Sequence, residues 1–412
     1  MIQQVDFDAI REDTPGKAWQ ETFKRFWPAY RSWFLSHGGD ADVTATRRAR
    51  GQLRAAMPEL FPTYERLVQL TGGDPVAERF LTLHDPPPFL SGCSQTVWRI
   101  GERRALIRNY DFAPDLAECR IVHTRWRSKL VMGASECLWG LNDGMNDAGL
   151  AVSLTYGGSR AVGRGFGIPL ILRYILEVCE EVGQALDVLH RVPSHMAYNV
   201  TLLDARGDFR TVHLHPHRPL VASPDRCATN HQGQVEDKRY AAWSQTRERF
   251  RFLQNAARTP CGTLEQALGH FQRQPLHQNR YQEGLGTLYT VAYDPVGRTA
   301  TFAWPDQEPW VLSIDRFRPD ARTIQYRDDR GGAFQHWETR NRSPARAPVA
   351  PPVAEPSWSD ETRYGLAVME YQAELARRWM GARTDGVIRE ARTGIEKTGR
   401  VPWELMSRLW VA

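Results

Sequence analysis

A change of periodicity near residue 92 is the feature that most limits how this chain of 412 residues can fold. Before it, residues 15–37 carry aromatic side chains at helical spacing, and further helical patterns cover Ala45–Ala56 and a stretch ending near Leu70. After it come short runs rich in β-branched and aromatic residues, interrupted by one block of helical patterns. Strands, then helices, then strands predict a layered α+β domain in which two stacked sheets are flanked by helices.

The predicted elements after residue 92 are short and closely spaced. The strands are Cys93–Ile100, Ala105–Phe112, Ile121–Trp126, Leu130–Gly133, Trp139–Asn142, Leu150–Thr155, Val200–Asp204, Phe209–His215, Thr287–Tyr293, Thr299–Trp304 and Trp310–Ile314. Helices are predicted from Pro169 to about Leu189, at 236–256 and at 263–272. Residues 340–356 contain five prolines, which predicts a semi-rigid linker, and a further helix is predicted to start near Ser359.

Composition limits the function classes. Hydrophobic residues make up 42% of the chain, which suits a globular enzyme with a sizeable core. The formal net charge of +5 comes without a dense basic helix or an RNA-binding aromatic motif, so no nucleic-acid partner is expected. No stretch of about eighteen apolar residues and no basic-then-apolar leader occur, so we expect a cytoplasmic protein without a membrane partner. The six cysteines lack a C-x-x-C pair, which argues against a disulfide scaffold.

A Gly92-Cys93 step opens the first predicted strand. If the peptide bond before a cysteine is cut, that cysteine carries both a thiol and an α-amino group. The amine has a pKa of roughly 7.7–8.0, so it can take the proton of the thiol without a histidine. Glycine tolerates the strained backbone that the thiol needs to attack its own preceding carbonyl. The alternative is a small buried cysteine at the start of a strand.

The hairpin that follows brings two charged residues to this step. Antiparallel pairing of the first two strands places Arg108 and Asp111 near Cys93. Charges within an apolar strand are costly unless they pair with each other or with a chain terminus. Asp111 could hold the new ammonium or orient the amine, and Arg108 could keep the thiolate charged or bind a substrate carboxylate. The alternative is an ordinary ion pair at the edge of a sheet.

An ordered set of segments extends this pattern over roughly residues 15–315. After Gly92-Cys93-Ser94 and Arg108-Asn109-Tyr110-Asp111 come Trp139–Val152, Ala228-Thr229-Asn230-His231 and Gly286–Asp294. The set resembles the N-terminal-nucleophile hydrolases of the penicillin acyltransferase type, with bile salt hydrolases and acid ceramidase as relatives. The resemblance implies a four-layer αββα sandwich with a helical N-terminal prosegment and a helical C-terminal extension.

The resemblance also implies residue roles. Cys93 would be the nucleophile and, with Gly92, the cleavage site, while Asp111 would contact the freed amine. Asn230 would donate its amide to the oxyanion, and Arg108 would belong to the catalytic group, as in the bile salt hydrolases. A second oxyanion donor is not expected from the strand of Thr155, because threonine stands at position 155 where the family often has asparagine. The expected substrate-binding residues are Tyr110, Thr155, Tyr156 and Arg280.

These inferences predict an autoprocessed cysteine enzyme that cleaves linear non-peptide amides, with a small-molecule amide or acyl compound as substrate. The predicted parts are a prosegment or small subunit (1–92), a catalytic core (93–320), a linker (321–358) and a helical extension (359–412). The cleaved N-terminal fragment would remain as a heterodimer partner. No metal or cofactor is expected, except a coenzyme A thioester as acyl donor if the enzyme is a transferase. The alternatives are a Cys–His hydrolase with an uncut Cys93 and an uncleaved binding scaffold.

Overall fold

The N-terminal segment consists of one strand followed by helices. The computed structural model describes residues 2–88, 91–259, 261–281, 284–327, 385–398 and 405. Strand β1 (Ile2–Glu12) precedes the helices α1 (Lys17–Ser36), α2 (Val43–Ala56), α3 (Phe61–Leu70) and α4 (Pro75–Leu81). The helices predicted in this region are confirmed. The strand was not predicted, although Phe7 and Ala9 alternate with polar residues and are both buried, which is the period of a half-buried strand.

The remaining elements are short strands with one block of helices between them. The helices are α5 (Ile168–Val178), α6 (Val182–Arg191), α7 (Lys238–Trp243), α8 (Thr246–Arg258), α9 (Leu264–Phe271) and α10 (Asp385–Thr398). The strands are β2 (Gly92–Ile100), β3 (Arg103–Phe112), β4 (Arg120–Thr124), β5 (Val131–Glu136), β6 (Gly140–Asn146), β7 (Ala151–Tyr156), β8 (Tyr198–Leu203), β9 (Phe209–Leu214), β10 (Val221–Ser223), β11 (Cys227–Ala228), β12 (Asn279–Arg280), β13 (Leu285–Asp294), β14 (Thr299–Ala303), β15 (Trp310–Ser313) and β16 (Asp320–Arg327).

The strands form two sheets. The nine-stranded sheet has the order β10-β9-β8-β7-β6-β5-β4-β1-β16, and the other has the order β11-β2-β3-β13-β14-β15 with β12 paired to β13. Strand β1 runs parallel to β4 and antiparallel to β16, so the N-terminal segment supplies a strand inside the larger sheet. The amino-terminal residues are therefore held by backbone hydrogen bonds on both sides.

Three apolar clusters define four layers. The first cluster lies between the helices α1 through α6 and the outer face of the nine-stranded sheet, and Val152 and Leu154 point into it. A second lies between the two sheets and includes Ala151, the strand neighbour of Val152. A third packs α8 and α9 on the outer face of the smaller sheet. Because alternate residues of a strand face opposite sides, each sheet can be buried on both faces, and the predicted αββα sandwich is confirmed.

The structure corrects two predicted boundaries. The single helix predicted from Pro169 to Leu189 is two helices, because Cys179 and Glu181 both have extended backbone conformations between α5 and α6. The predicted linker at 321–358 begins inside β16, which pairs with β1 over residues 320–327. The alternation of buried Ile324 with its exposed neighbours belongs to a sheet rather than to a linker.

Most of the predicted linker and extension, including the helix expected from Ser359, lies outside the described residues. Within the described part of the extension, α10 buries Val387 and Ala391 in the cluster between the sheets. None of the helices within the described residues combines the length and apolar character needed to span a bilayer.

Candidate active site

Cys93 lies at the buried start of β2, directly beside the end of β3. The register pairs Cys93 with Tyr110 and Gly92 with Asp111, which confirms the predicted hairpin. Cys93, Leu106 and Tyr110 face the space between the sheets, whereas Ala105 and Ile107 face the helices α8 and α9. Residues an odd number of positions apart on a strand point to opposite faces of the sheet, so Arg108 and Asp111 lie on opposite sides of β3. They therefore take different ion-pair partners instead of pairing with each other.

Arg108 is fully buried and contacts the thiol. Its Nη2 donates to Cys93 Sγ at 3.2 Å, and its Nη1 donates to Asp143 Oδ2 and to the Asn142 carbonyl, both at 2.5 Å. Burial lowers the pKa of Arg108, but the electrostatic interactions with Cys93 and Asp143 outweigh it, and the pKa lies well above its ordinary value. The guanidinium is therefore a permanent positive charge 3.2 Å from the Cys93 sulfur.

The partner of Arg108 is itself held by hydroxyl groups. The Asp143 carboxylate accepts hydrogen bonds from Tyr289 at 2.7 Å and from Tyr293 at 2.6 Å. The Arg108 guanidinium also lies over the ring of Tyr110, 5.0 Å from its centroid. These contacts leave the guanidinium little freedom, so the short distance to the thiol is set by the surrounding fold rather than by a flexible side chain.

Asp111 lies on the other face of the hairpin, against α8. Its Oδ1 accepts from the Thr287 hydroxyl at 2.7 Å, and its Oδ2 lies 3.5 Å from Arg249 Nη1. Burial raises the pKa of Asp111, and the Arg249 charge and the Thr287 hydroxyl offset only part of that rise. In the intact chain the backbone amide of Cys93 donates to Asn230 Oδ1, at 3.1 Å.

Asn230 is 1% exposed and connects Cys93 to the segment before it. Its Oδ1 accepts from the Cys93 amide and also from Arg249 Nη2 at 2.6 Å. Its Nδ2 faces the carbonyls of Ser91 and Tyr156, each at 3.4 Å. The donating end of the amide is thus directed at the Ser91 carbonyl, one residue before Gly92, and at the Tyr156 carbonyl.

Arg249 is the residue of the site that sequence reasoning missed. Its Nη1 donates to the Cys93 carbonyl at 2.5 Å and to Ser94 Oγ at 2.8 Å, in addition to its contacts with Asp111 and Asn230. A signal exists in the sequence, because Arg249 and Leu253 share the buried stripe of α8. An arginine at an apolar helix position requires buried partners.

The four residues expected to bind substrate all take part in hydrogen bonds within the intact chain. Tyr110 lies under Arg108, and its hydroxyl donates to Glu136 Oε2 at 3.1 Å, whereas Tyr156 offers its backbone carbonyl to Asn230. Thr155 donates to the Thr229 carbonyl at 2.8 Å and so holds the segment after β11 that carries Asn230. Arg280 donates to the Trp243 carbonyl at 2.6 Å, within the wall beside α7. Thr155 and Arg280 thus have structural hydrogen bonds in the intact chain.

The residues before Cys93 cover the site. The Ser91 carbonyl accepts from the Tyr240 hydroxyl at 2.8 Å, and Ser91 Oγ lies 3.7 Å from Cys93 Sγ. A Cβ atom at Gly92 would lie 2.4 Å from Leu285 Cδ1 and 3.1 Å from Asp111 Cβ, so a side chain there would displace one of them. The Gly92 position is therefore closely packed by side chains of β3 and β13.

Comparisons with solved structures return weak global similarity. Penicillin V acylase from Agrobacterium tumefaciens has 15% identity and a TM-score of 0.40, covering 54% of this chain and 87% of that chain. A mutant of conjugated bile acid hydrolase from Clostridium perfringens has 10% identity and a TM-score of 0.40, covering 57% of this chain and 97% of that chain.

Comparisons with sequences give one family. No curated protein matches the chain. Residues 98–309 match the family described as acyl-coenzyme A:6-aminopenicillanic acid acyl-transferase, and this match begins just after Cys93 and spans Arg108, Asp111, Asn230 and Arg249. The chain belongs to this family, as the ordered segments predicted.

Proposed function

We propose that this protein cuts its own chain between Gly92 and Cys93 and then cleaves linear amides through an acyl-enzyme on Cys93. The observation that carries the proposal is the set of contacts around one peptide bond. Arg108 contacts the thiol, Asn230 accepts from the Cys93 amide, and Arg249 donates to the Cys93 carbonyl. Burying several charged groups together costs stability, and such clusters are typical of catalytic sites.

Self-cleavage needs only groups of this site and water. The Cys93 sulfur attacks the Gly92 carbonyl carbon, and the new C–S bond replaces the C–N bond as the Cys93 nitrogen takes up the thiol proton. Asn230 Nδ2 donates to the oxygen that becomes negative in the tetrahedral intermediate. Water then hydrolyses the thioester, which leaves a carboxylate on Gly92 and a free amine and thiol on Cys93.

Turnover uses the same atoms with one change. The new α-amino group of Cys93 accepts the thiol proton, and the thiolate, held near Arg108, attacks the substrate carbonyl. Asn230 stabilises the oxyanion, the protonated amine product departs, and water releases the acyl group. An amine acceptor in place of water would give an acyltransferase with a coenzyme A thioester as donor. The family name supports that alternative, and both reactions use the same residues.

A Cys–His hydrolase is less well supported. The histidine next to Asn230 is His231, and burial lowers its pKa to about 4, which makes it a poor base at neutral pH. Its Nδ1 lies 2.9 Å from Thr246 Oγ1 and 3.3 Å from Thr229 Oγ1. The histidine thus links the segment after β11, which carries Asn230, to the start of α8.

The N-terminal fragment would stay bound after cleavage. Strand β1 lies between β4 and β16, and Trp19 Nε1 donates to the Leu138 carbonyl at 3.0 Å. The fragment also buries the aromatic face of α1 in the first core cluster. Loss of these contacts would expose a large apolar surface, so the processed protein would be a heterodimer.

The test is the intact mass of the purified protein after incubation, together with the N-terminal sequence of each fragment. We expect fragments of residues 1–92 and 93–412, the larger beginning Cys-Ser-Gln-Thr. Cys93→Ala should remain one chain, while the matched control Cys261→Ala, at a half-buried cysteine outside the site, should still be cut. A wild-type chain that stays uncut would contradict the proposal and favour the binding scaffold.

A further inference from the structure

We propose that the processed enzyme selects acyl groups with an unbranched α-carbon and a carbonyl oxygen on the γ-atom, such as (acylamino)acetyl and 4-oxoacyl groups. The inference rests on the proposed function, because it concerns the acyl group that becomes bound to Cys93. Its basis is the position of Ser91 and Gly92 in the intact chain. Tyr240 would provide the hydrogen bond that recognises the γ-oxygen.

Self-cleavage and turnover form the same bond. In self-cleavage the Gly92 carbonyl carbon becomes a thioester on Cys93, and in turnover the acyl carbon of the substrate does so. Residues 91 and 92 are therefore the first acyl group that the site accepts. In this analogy Gly92 Cα is the α-carbon and the Ser91 carbonyl carbon is the γ-atom. The contacts of these two residues mark where a substrate acyl group would lie.

The γ-oxygen position faces a fixed donor. The Tyr240 hydroxyl donates to the Ser91 carbonyl at 2.8 Å, with Asn230 Nδ2 farther away at 3.4 Å. The Tyr240 ring is buried and packs edge-on against Tyr156, with centroids 5.0 Å apart. Asp237 caps the start of α7, the helix that carries Tyr240, by accepting from the Tyr240 amide at 2.9 Å.

This donor creates selectivity because it is buried. When the end of the bound N-terminal fragment moves out of the site, Ser91 no longer accepts the hydrogen bond from the Tyr240 hydroxyl. A substrate oxygen at the same place restores that hydrogen bond, whereas a purely hydrocarbon acyl group displaces water without offering an acceptor. A neutral hydrogen bond of this kind discriminates by about tenfold.

The α-carbon position is closed on one side. The Cβ of an L-residue at position 92 would lie 2.4 Å from Leu285 Cδ1 and 3.1 Å from Asp111 Cβ. Leu285 is fully buried on β13, and Asp111 is held by Thr287 and Arg249. An α-branched acyl group of L-like configuration would have to displace one of them, so we expect it to react poorly.

The γ-oxygen is tested with two 4-nitroanilides that differ by one oxygen, 4-oxopentanoyl and pentanoyl. Wild-type enzyme should favour the 4-oxopentanoyl compound by about tenfold in kcat/KM, and Tyr240→Phe should reduce this ratio to about one. Tyr198→Phe, another buried tyrosine of the same aromatic group, should keep the wild-type ratio. If Tyr240→Phe is not processed, the wild-type ratio alone decides. Equal wild-type rates for the two anilides would overturn the inference.

The α-carbon is tested with N-acetylglycyl and N-acetyl-L-alanyl 4-nitroanilides. The glycyl compound should react at least about tenfold faster, and Leu285→Ala should narrow this difference because it removes the nearest atom. Equal rates in the wild-type enzyme would overturn the steric part of the inference.

The mass of the larger fragment separates this inference from the proposed function. Rates are referred to the fraction of chains that begin with Cys93, and acylation of Cys93 is read as added mass. If no anilide acylates Cys93 in processed protein, the proposed function itself fails. If all acylate Cys93 at equal rates, the proposed function stands and the selectivity inferred here is wrong.

Discussion

A buried pair of carboxyl groups, Glu118 and Glu136, joins the N-terminal segment to the active site. We predict that this pair makes the stability of the protein depend on pH. The Tyr30 hydroxyl of α1 lies 2.9 Å from Glu118 Oε1 and 2.8 Å from Glu136 Oε1. One hydroxyl has one proton and cannot donate to both. Leu138 N and Ser135 Oγ donate to the two oxygens of Glu118, so we assign Glu118 as the acceptor from the Tyr30 hydroxyl and Glu136 as the protonated acid that donates to the Tyr30 oxygen.

The perturbation is Glu136→Gln, which mimics the protonated acid. The new amide can donate to the Tyr30 oxygen, while its carbonyl accepts from Asn142 Nδ2 and the Tyr110 hydroxyl in place of Glu136 Oε2. Every hydrogen bond of the wild-type network can therefore be kept. The variant differs from wild type only where Glu136 would ionise.

The magnitude follows from the pKa of Glu136. Burial, together with the charge of Glu118, raises this pKa from 4.5 to about 7. Between these values the folded protein holds a proton that the unfolded chain has lost, so stability falls as pH rises. The contribution is full below pH 4.5 and is lost by about pH 7. At about 1.4 kcal/mol per pKa unit the loss is about 3 kcal/mol.

The assay is urea unfolding from pH 4.5 to 8, in a Cys93→Ala background that keeps one chain. The free energy of unfolding of Glu136→Gln, relative to its parent, should increase by about 3 kcal/mol over this range. Glu118→Gln is the contrasting variant. It should be less stable at every pH because both oxygens of Glu118 accept hydrogen bonds. Parallel pH profiles for Glu136→Gln and its parent would refute a buried, proton-carrying Glu136.

Three further variants test the catalytic group. Arg249→Lys should slow self-cleavage by at least about tenfold, because an ammonium cannot bridge the acceptors that the guanidinium joins, and intact mass against time measures it. Cleavage at the wild-type rate would remove Arg249 from the mechanism. In processed enzyme, Asn230→Ala should lower kcat by about 10²–10³ with little change in KM, and a change below about threefold would place the oxyanion elsewhere. Asp111→Asn should fold and lose most of its turnover per processed chain, and a wild-type rate would exclude a role for Asp111.

The sequence by itself determined the features that depend on neighbours along the chain. The turn between β2 and β3 has only two residues, so it sets the register and brings Arg108 and Asp111 beside Cys93. The aromatic stripe of α1 predicted its buried face, because helical periodicity is a local property. The ordered segments also singled out Asn230, which lies at the Cys93 amide.

Only the tertiary structure decided which distant groups complete the site. Arg249 contacts the Cys93 carbonyl across 156 positions of sequence, and Tyr289 and Tyr293 reach Asp143 across 146 and 150. The pairing of β1 with β16 likewise joins the two ends of the described sandwich. No local pattern encodes these contacts, since they follow from how two sheets stack and which faces of β3 and α8 meet. The packing of the sheets and helices therefore determines which side chain pairs with each buried charge, whereas the sequence pattern indicates only that a partner is required.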